Sequence, residues 1–176
     1  MKVISAALRK KARKIKLLLL DVDGVLTDGG IYIDDRGIET KRFDVRDGQG
    51  ITLLRRSGIE VGFMTGRSSN VVRVRARELG VRIIHQGVRN KSEAYRRIKH
   101  KSCLGDESVA YVGDDLADVP ILRQVGLAIV VRDAWDGVRP YADYVAQAAG
   151  GRGAVREVCE LLLKAQDLWK ELTKPY

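Results

Sequence analysis

Apolar residues gather along this chain in short uninterrupted runs, each ending abruptly at a polar residue. Ile15 to Leu20 stops at Asp21, and Glu60-Val-Gly-Phe-Met leads into Thr65-Gly-Arg. Val81-Arg-Ile-Ile-His85 leads into Gln86-Gly, Val109-Ala-Tyr-Val112 into Gly-Asp-Asp, and Leu127 to Val131 into Arg-Asp. Such runs predict buried strands whose carboxyl ends carry polar groups. Between them lie helical patterns over 50–56, 69–79 (closed by Gly80), 91–101 and 116–125 (closed by Gly126). Strand and helix in alternation predict an α/β fold, a doubly wound parallel sheet. Ligands on such a sheet sit outside the carboxyl ends of the strands. Asp21, Asp23, Thr65, Asp114 and Asp115 fall there.

Two segments break the alternation. Residues 30–43 read as two extended runs around an Asp-Asp-Arg-Gly turn, a small β-hairpin rather than a crossover helix. Gly150-Gly-Arg-Gly153 is a flexible break before a helical tail over about 154–173, in which Val155, Val158, Leu161, Leu162, Ala165 and Leu168 recur at helical spacing. That tail either packs on its own domain or reaches a neighbouring chain.

A length of 176 residues fits one domain, and 45% apolar with 31% charged residues fits a globular protein with no membrane span. Cys103 and Cys159 stand far apart, without a CxxC pair or a Cys/His cluster, so a reducing cytoplasmic setting is expected. The net charge of +9 taken alone suggests nucleic acid or an anionic surface. Seven of those charges lie in residues 1–16, which hold no acid and no aromatic, leaving two for the rest. The division expected is a basic extension over 1–14, a solvated or frayed helix, ahead of a domain over 15–176.

Asp21-Val-Asp-Gly-Val-Leu-Thr-Asp28 sets two carboxylates two positions apart after a buried strand. They could serve as nucleophile and acid/base, or form an Asx turn with an N-cap. Gly113-Asp-Asp-Leu-Ala-Asp118 adds three acids at a helix start. Either they cap the helix, or the combined cluster takes a divalent cation, for which oxygen ligands suit Mg²⁺. Thr65-Gly66-Arg67 offers a hydroxyl and backbone N–H groups for phosphate oxygens, or is a simple turn, and Lys91 alone would read as surface.

Together, the order DxDGV…TGR…K…GDDxxD resembles the haloacid dehalogenase superfamily. Phe43-Asp-Val-Arg-Asp-Gly-Gln-Gly50, Met64-Thr-Gly-Arg67, His85-Gln-Gly87, Val112-Gly-Asp-Asp115 and Ala149-Gly-Gly-Arg-Gly-Ala-Val-Arg-Glu157 resemble the 3-deoxy-D-manno-octulosonate 8-phosphate phosphatases of lipopolysaccharide synthesis, over about residues 15–165. The resemblance implies a cap-less, Rossmann-like hydrolase with the hairpin in place of a cap domain. It implies catalytic Asp21, Asp23, Thr65 and Lys91, with Asp21 the nucleophile and Asp23 the acid and then base. Mg²⁺ would be held by Asp21, the Asp23 carbonyl and Asp114, with Asp115 and Asp118 in the surrounding layer. Substrate contacts would come from Asp23, Asp44, Val45, Arg46, Asp47, Gly48, Thr52, Gly66, Arg67, Arg75 and Lys91. Arg67 favours the eight-carbon sugar acid over a sialic acid-type 9-phosphate, whose phosphatases carry a carboxylate after Thr-Gly. Asp44 stands where many members have asparagine. A cytoplasmic homotetramer follows from the same resemblance. The competing expectation is a non-catalytic nucleic-acid or anionic-surface binding protein driven by residues 1–16.

Overall fold

The computed structural model describes residues 5–174; the first four residues, including Lys2 of the basic extension, and the last two lie outside the described residues. In chain order the strands are β1 (Leu17–Leu20), β2 (Tyr32–Ile33), β3 (Glu39–Thr40), β4 (Glu60–Met64), β5 (Ile83–His85), β6 (Val109–Gly113), β7 (Leu127–Val130) and β8 (Tyr144–Val145). The helices are α1 (Ala6–Ala12), α2 (Val45–Arg56), α3 (Asn70–Glu78), α4 (Lys91–Ser102), α5 (Val119–Leu122), α6 (Ala154–Ala165) and α7 (Trp169–Thr173). Six strands form one sheet in the order β5-β4-β1-β6-β7-β8, every pair parallel. The chain builds β4 and β5 on one side of β1, then returns to build β6, β7 and β8 on the other. That reversal beside β1 opens the crevice where α/β folds bind ligands. All four leucines of β1 are fully buried because helices cover both faces of the sheet. The expected doubly wound α/β fold with a hairpin in the cap position is therefore the observed one, the hairpin being β2 paired antiparallel with β3.

Several expected boundaries move for local reasons. The helix expected from residue 50 begins at Val45, because the Asp44 carboxylate caps it by accepting the Arg46 N–H at 2.8 Å. The helix expected over 116–125 divides into a 3₁₀ turn at Leu116–Asp118 and the short α5, with Pro120 in its first turn. The tail expected as one helix over 154–173 breaks into α6 and α7 where Asp167 takes a left-handed backbone (φ 63°). Strand β8 has no counterpart among the expected elements.

The basic extension is not frayed over its described part. Ser5 caps α1 by accepting the Leu8 N–H at 3.1 Å, and Leu8 and Ala12 are buried. Gln166 donates to the carbonyls of Ala12 (3.1 Å) and Ile15 (2.9 Å), while Arg9 pairs with Asp167 and Lys11 with Asp143. The tail likewise packs on its own domain: Val155, Val158 and Leu162 of α6 are fully buried, and α6 lies along α2.

Candidate active site

Three strand ends converge at the crevice. Asp21 follows β1 and donates its N–H to the Val112 carbonyl at 3.0 Å, which fixes it beside the end of β6 and hence beside Asp114. Thr65 follows β4, and its N–H bonds the His85 carbonyl at 2.9 Å. Lys91 is the first residue of α4, whose N-cap Asn90 accepts the Glu93 N–H. These residues line a cleft of about 460 Å³ together with Asp23, Gly66, Arg67, Arg89, Asp115 and Asp118.

Lys91 is buried at the centre. Its ammonium donates to Asp21 Oδ2 at 2.7 Å, to Asp118 Oδ1 at 2.6 Å and to the Tyr111 hydroxyl at 3.2 Å. Burial alone would lower its pKa, but Asp21 and Asp118 more than offset that, so Lys91 titrates above its ordinary value. Asp118 has no exposed surface and both its oxygens are taken: Oδ1 by Lys91 and by Tyr111 at 2.5 Å, Oδ2 by the N–H groups of Asp114 (2.9 Å) and Asp115 (3.2 Å). Asp115 itself is exposed and caps the turn at Leu116.

Oxygens of Asp21, Asp114 and Asp118 lie within 4.8 Å of one another. Among the described residues no hydrogen-bond donor reaches the Asp114 carboxylate, and burial, then Asp21 and Asp118, push its pKa up to about 8. Asp21 is raised to about 6, chiefly by burial, with Lys91 acting against the rise. An unpartnered acid facing other acids is the donor set a hard divalent cation would neutralise. Gly24 makes this approach possible: it has φ +87°, and a Cβ there would sit 2.0 Å from Asp114 Oδ2.

Asp23 turns its carboxylate away from this cluster. Oδ2 accepts the Thr65 hydroxyl at 3.1 Å, and Oδ1 is bound by Lys41. Lys41 also pairs with Glu39 at 3.2 Å, and Glu39 with Arg67 at 2.8 Å. Neither Lys41 nor Glu39 stands among the candidates read from sequence. The one available signal is their spacing, since residues two apart on an extended strand face the same side.

The remaining candidates lie off the cleft wall in this chain. Asp44 is buried and forked by Arg46 at 3.2 and 2.9 Å. Val45 is exposed, and the Thr52 hydroxyl donates to the Gly48 carbonyl at 3.0 Å. Asp47 is buried and accepts the N–H groups of Arg156 (2.7 Å) and Gly153 (3.3 Å), capping the start of α6; burial is the main reason its pKa is raised to about 6. Arg75 lies over the Phe43 ring at 5.7 Å, against Gly48, and pairs with Glu78. Arg89 and Ser92 are in the wall without having been singled out by sequence.

Residues 74–157 match the haloacid dehalogenase-like hydrolase family. The chain is 51% identical over 163 residues to the 3-deoxy-D-manno-octulosonate 8-phosphate phosphatase of Escherichia coli K12, spanning 93% of this chain and 87% of that protein. The crystal structure of the same-named phosphatase from Yersinia pestis superposes with a TM-score of 0.94 at 45% identity, over 95% of this chain and 90% of that one. The one from Moraxella catarrhalis, in complex with magnesium ion, phosphate ion and KDO, gives 0.92 at 44% identity, over 93% and 94%.

Proposed function

From the premise that this chain belongs to the 3-deoxy-D-manno-octulosonate 8-phosphate phosphatase family of haloacid dehalogenase-like hydrolases, we propose how its own residues divide the work. The enzyme is a Mg²⁺-dependent phosphoric monoester hydrolase that releases phosphate from 3-deoxy-D-manno-octulosonate 8-phosphate. Asp21 attacks phosphorus as the sugar oxygen departs, giving an aspartyl phosphate, and Asp23 gives that oxygen its proton. Asp23 then takes a proton from the water that attacks the aspartyl phosphate, which restores Asp21 and frees phosphate. Thr65, the turn at Gly66 and Lys91 hold the phosphoryl oxygens, and Lys91 offsets their charge. The carboxylates of Asp21 and Asp114 and the carbonyl of Asp23 would hold Mg²⁺, which would supply positive charge beside the phosphoryl group and offset the repulsion from the acids. Asp118 and Asp115 orient this set through the contacts they make with Lys91 and the backbone.

What supports the assignment above all is Lys91, buried between Asp21 and Asp118 while Asp114 beside them meets no donor among the described residues. Arg67 and Arg46 are exposed cations suited to the substrate carboxylate and hydroxyl-rich chain. Asp44 to Gly48, Thr52 and Arg75 would reach substrate as part of an assembly.

That assembly is a homotetramer in the cytoplasm, serving lipopolysaccharide biosynthesis. Its support is family membership and the hairpin, where Ile31, Tyr32, Ile33 and Ile38 all present large apolar surface to solvent.

The test is phosphate release from the eight-carbon and nine-carbon sugar acid phosphates, with and without Mg²⁺, in wild type and Asp21→Asn. Loss of on the order of 10³-fold or more in kcat is expected for the variant. Undiminished release would overturn the covalent route, and preference for the nine-carbon substrate would overturn the specificity assigned to Arg67.

A further inference from the structure

Lys41 is the odd residue of the hairpin. From Ile31 to Thr40 every residue except Glu39 is exposed, yet the Lys41 side chain keeps only 1% of its surface. An ammonium is costly to bury unless it is paired, and two carboxylates meet it here, Asp23 and Glu39. Asp23 is held at both oxygens, Oδ1 by Lys41 and Oδ2 by the Thr65 hydroxyl.

We propose that Lys41 is a positioning residue for the acid/base Asp23, reaching into the site from the hairpin, with Glu39 orienting it. This rests on the division of work given above. When substrate enters, the Thr65 hydroxyl turns to a phosphoryl oxygen and frees Oδ2. Lys41 keeps Oδ1, so the carboxyl cannot rotate away and Oδ2 faces the leaving group. As the bond from Asp21 to phosphorus forms and the bond from phosphorus to the sugar oxygen breaks, the proton passes from Oδ2 to that oxygen. Oδ1 accepts from Lys41 whether the carboxyl is protonated or ionised, so the hold lasts through both half-reactions. Glu39 also pairs with Arg67, so one hairpin carboxylate orients both the lysine behind the acid and the arginine assigned above to the substrate.

A residue that aims a general acid matters in proportion to how badly the leaving group needs a proton. A sugar alkoxide needs one, whereas p-nitrophenolate leaves unaided. Wild type, Lys41→Met and Lys41→Arg are compared at saturating Mg²⁺ on 3-deoxy-D-manno-octulosonate 8-phosphate and on p-nitrophenyl phosphate, with melting temperatures alongside. In Lys41→Met, kcat/KM on the sugar phosphate should fall ~10²-fold while kcat/KM on the aryl phosphate changes less than about threefold, because kcat/KM reports only the half-reaction in which the leaving group departs. Lys41→Arg, which keeps a donor, should recover most of the loss. Equal losses on both substrates, or none, would overturn the role of Lys41 while leaving the phosphatase reading intact. Should Lys41→Met not fold, Lys41→Ala, which also removes the donor but leaves room for water, decides by the ratio of its two kcat/KM values: a ratio shifted against the sugar phosphate supports the role, and an unshifted one overturns it. A wild type inactive on the sugar phosphate would overturn the underlying reading itself.

Discussion

Replacing Asp114 by Asn should stabilise the metal-free protein, and by more as the pH rises from acid to alkaline. The Asp114 carboxyl is raised from 3.8 to about 8 by burial and by Asp21 and Asp118. In the unfolded chain it titrates near its ordinary value, so between pH ~4 and ~8 the folded protein holds a proton that the unfolded chain has released. Stability from this group is therefore complete below pH ~4 and lost as pH climbs to ~8. At ~1.4 kcal/mol per pH unit the loss has a ceiling of ~6 kcal/mol. Asp21, itself raised to about 6, titrates against the same neighbours, so the two penalties overlap rather than add. The expected gain for Asp114→Asn at pH 8.5 in chelator is ~2–3 kcal/mol, a rise in Tm of ~5–10 °C for a chain of this size. At pH 5 only about one of the ~4 pH units of this penalty has accrued, so the gain should shrink below ~1 kcal/mol and the two proteins should melt within ~3 °C of each other. Saturating Mg²⁺ should reverse the order, because a ligand at 100 times its Kd adds ~2.7 kcal/mol to the protein that binds it. A shift of the same size at pH 5 and pH 8.5, or a metal-free variant less stable at pH 8.5, would refute this account of the acidic cluster.

Gly150→Ala would put a Cβ 1.8 Å from the Gly24 carbonyl oxygen, backbone against backbone. A loss of ~1–3 kcal/mol in thermal melts is expected, together with a fall in kcat of up to ~10² as the loop after Asp23 shifts; a variant unchanged in both would show that the close approach has no consequence. Ile33→Asp places a charge on the exposed hairpin strand, where Ile33 is 61% exposed. Light scattering should show the proposed tetramer replaced by smaller species with the far-UV spectrum retained, and a variant that keeps the wild-type mass would refute the hairpin as the assembly surface.

The strand-end acids are legible in sequence because the signal is local: a run of leucines that stops at Asp21 must put that carboxylate at the rim of a sheet. Asp114 and Thr65 are legible for the same reason, and the sheet's neighbour order then brings all three together. Lys41 is not, because only its spacing from Glu39 is local, while its pairing with Asp23, itself held by Thr65 from a third segment, is something no linear pattern connects. Asp47 shows the converse. Its motif suggests a sugar contact, and nothing in the linear pattern shows that in the fold its carboxylate also caps α6, more than a hundred positions later. The break between α6 and α7 escapes periodicity because Leu168 keeps the apolar spacing while Asp167, drawn to Arg9 and Arg13, leaves the helical backbone. The docking of α1 is equally hidden, resting on buried Leu8 and Ala12, on ion pairs to the distant Asp143 and Asp167, and on the side chain of Gln166.

That last contact has a topological consequence. Gln166 ties the end of α6 to Ala12 and Ile15, just ahead of β1, so the first and last segments of the domain meet at the amino ends of the strands, opposite the cleft. The chain is thereby almost a ring, closed by an amide side chain in place of a peptide bond. Its connectivity could be recut, with a short linker joining these segments and new ends opened in the exposed turn at Asp34 to Gly37, without disturbing either the order of the sheet or the strand ends that carry the chemistry.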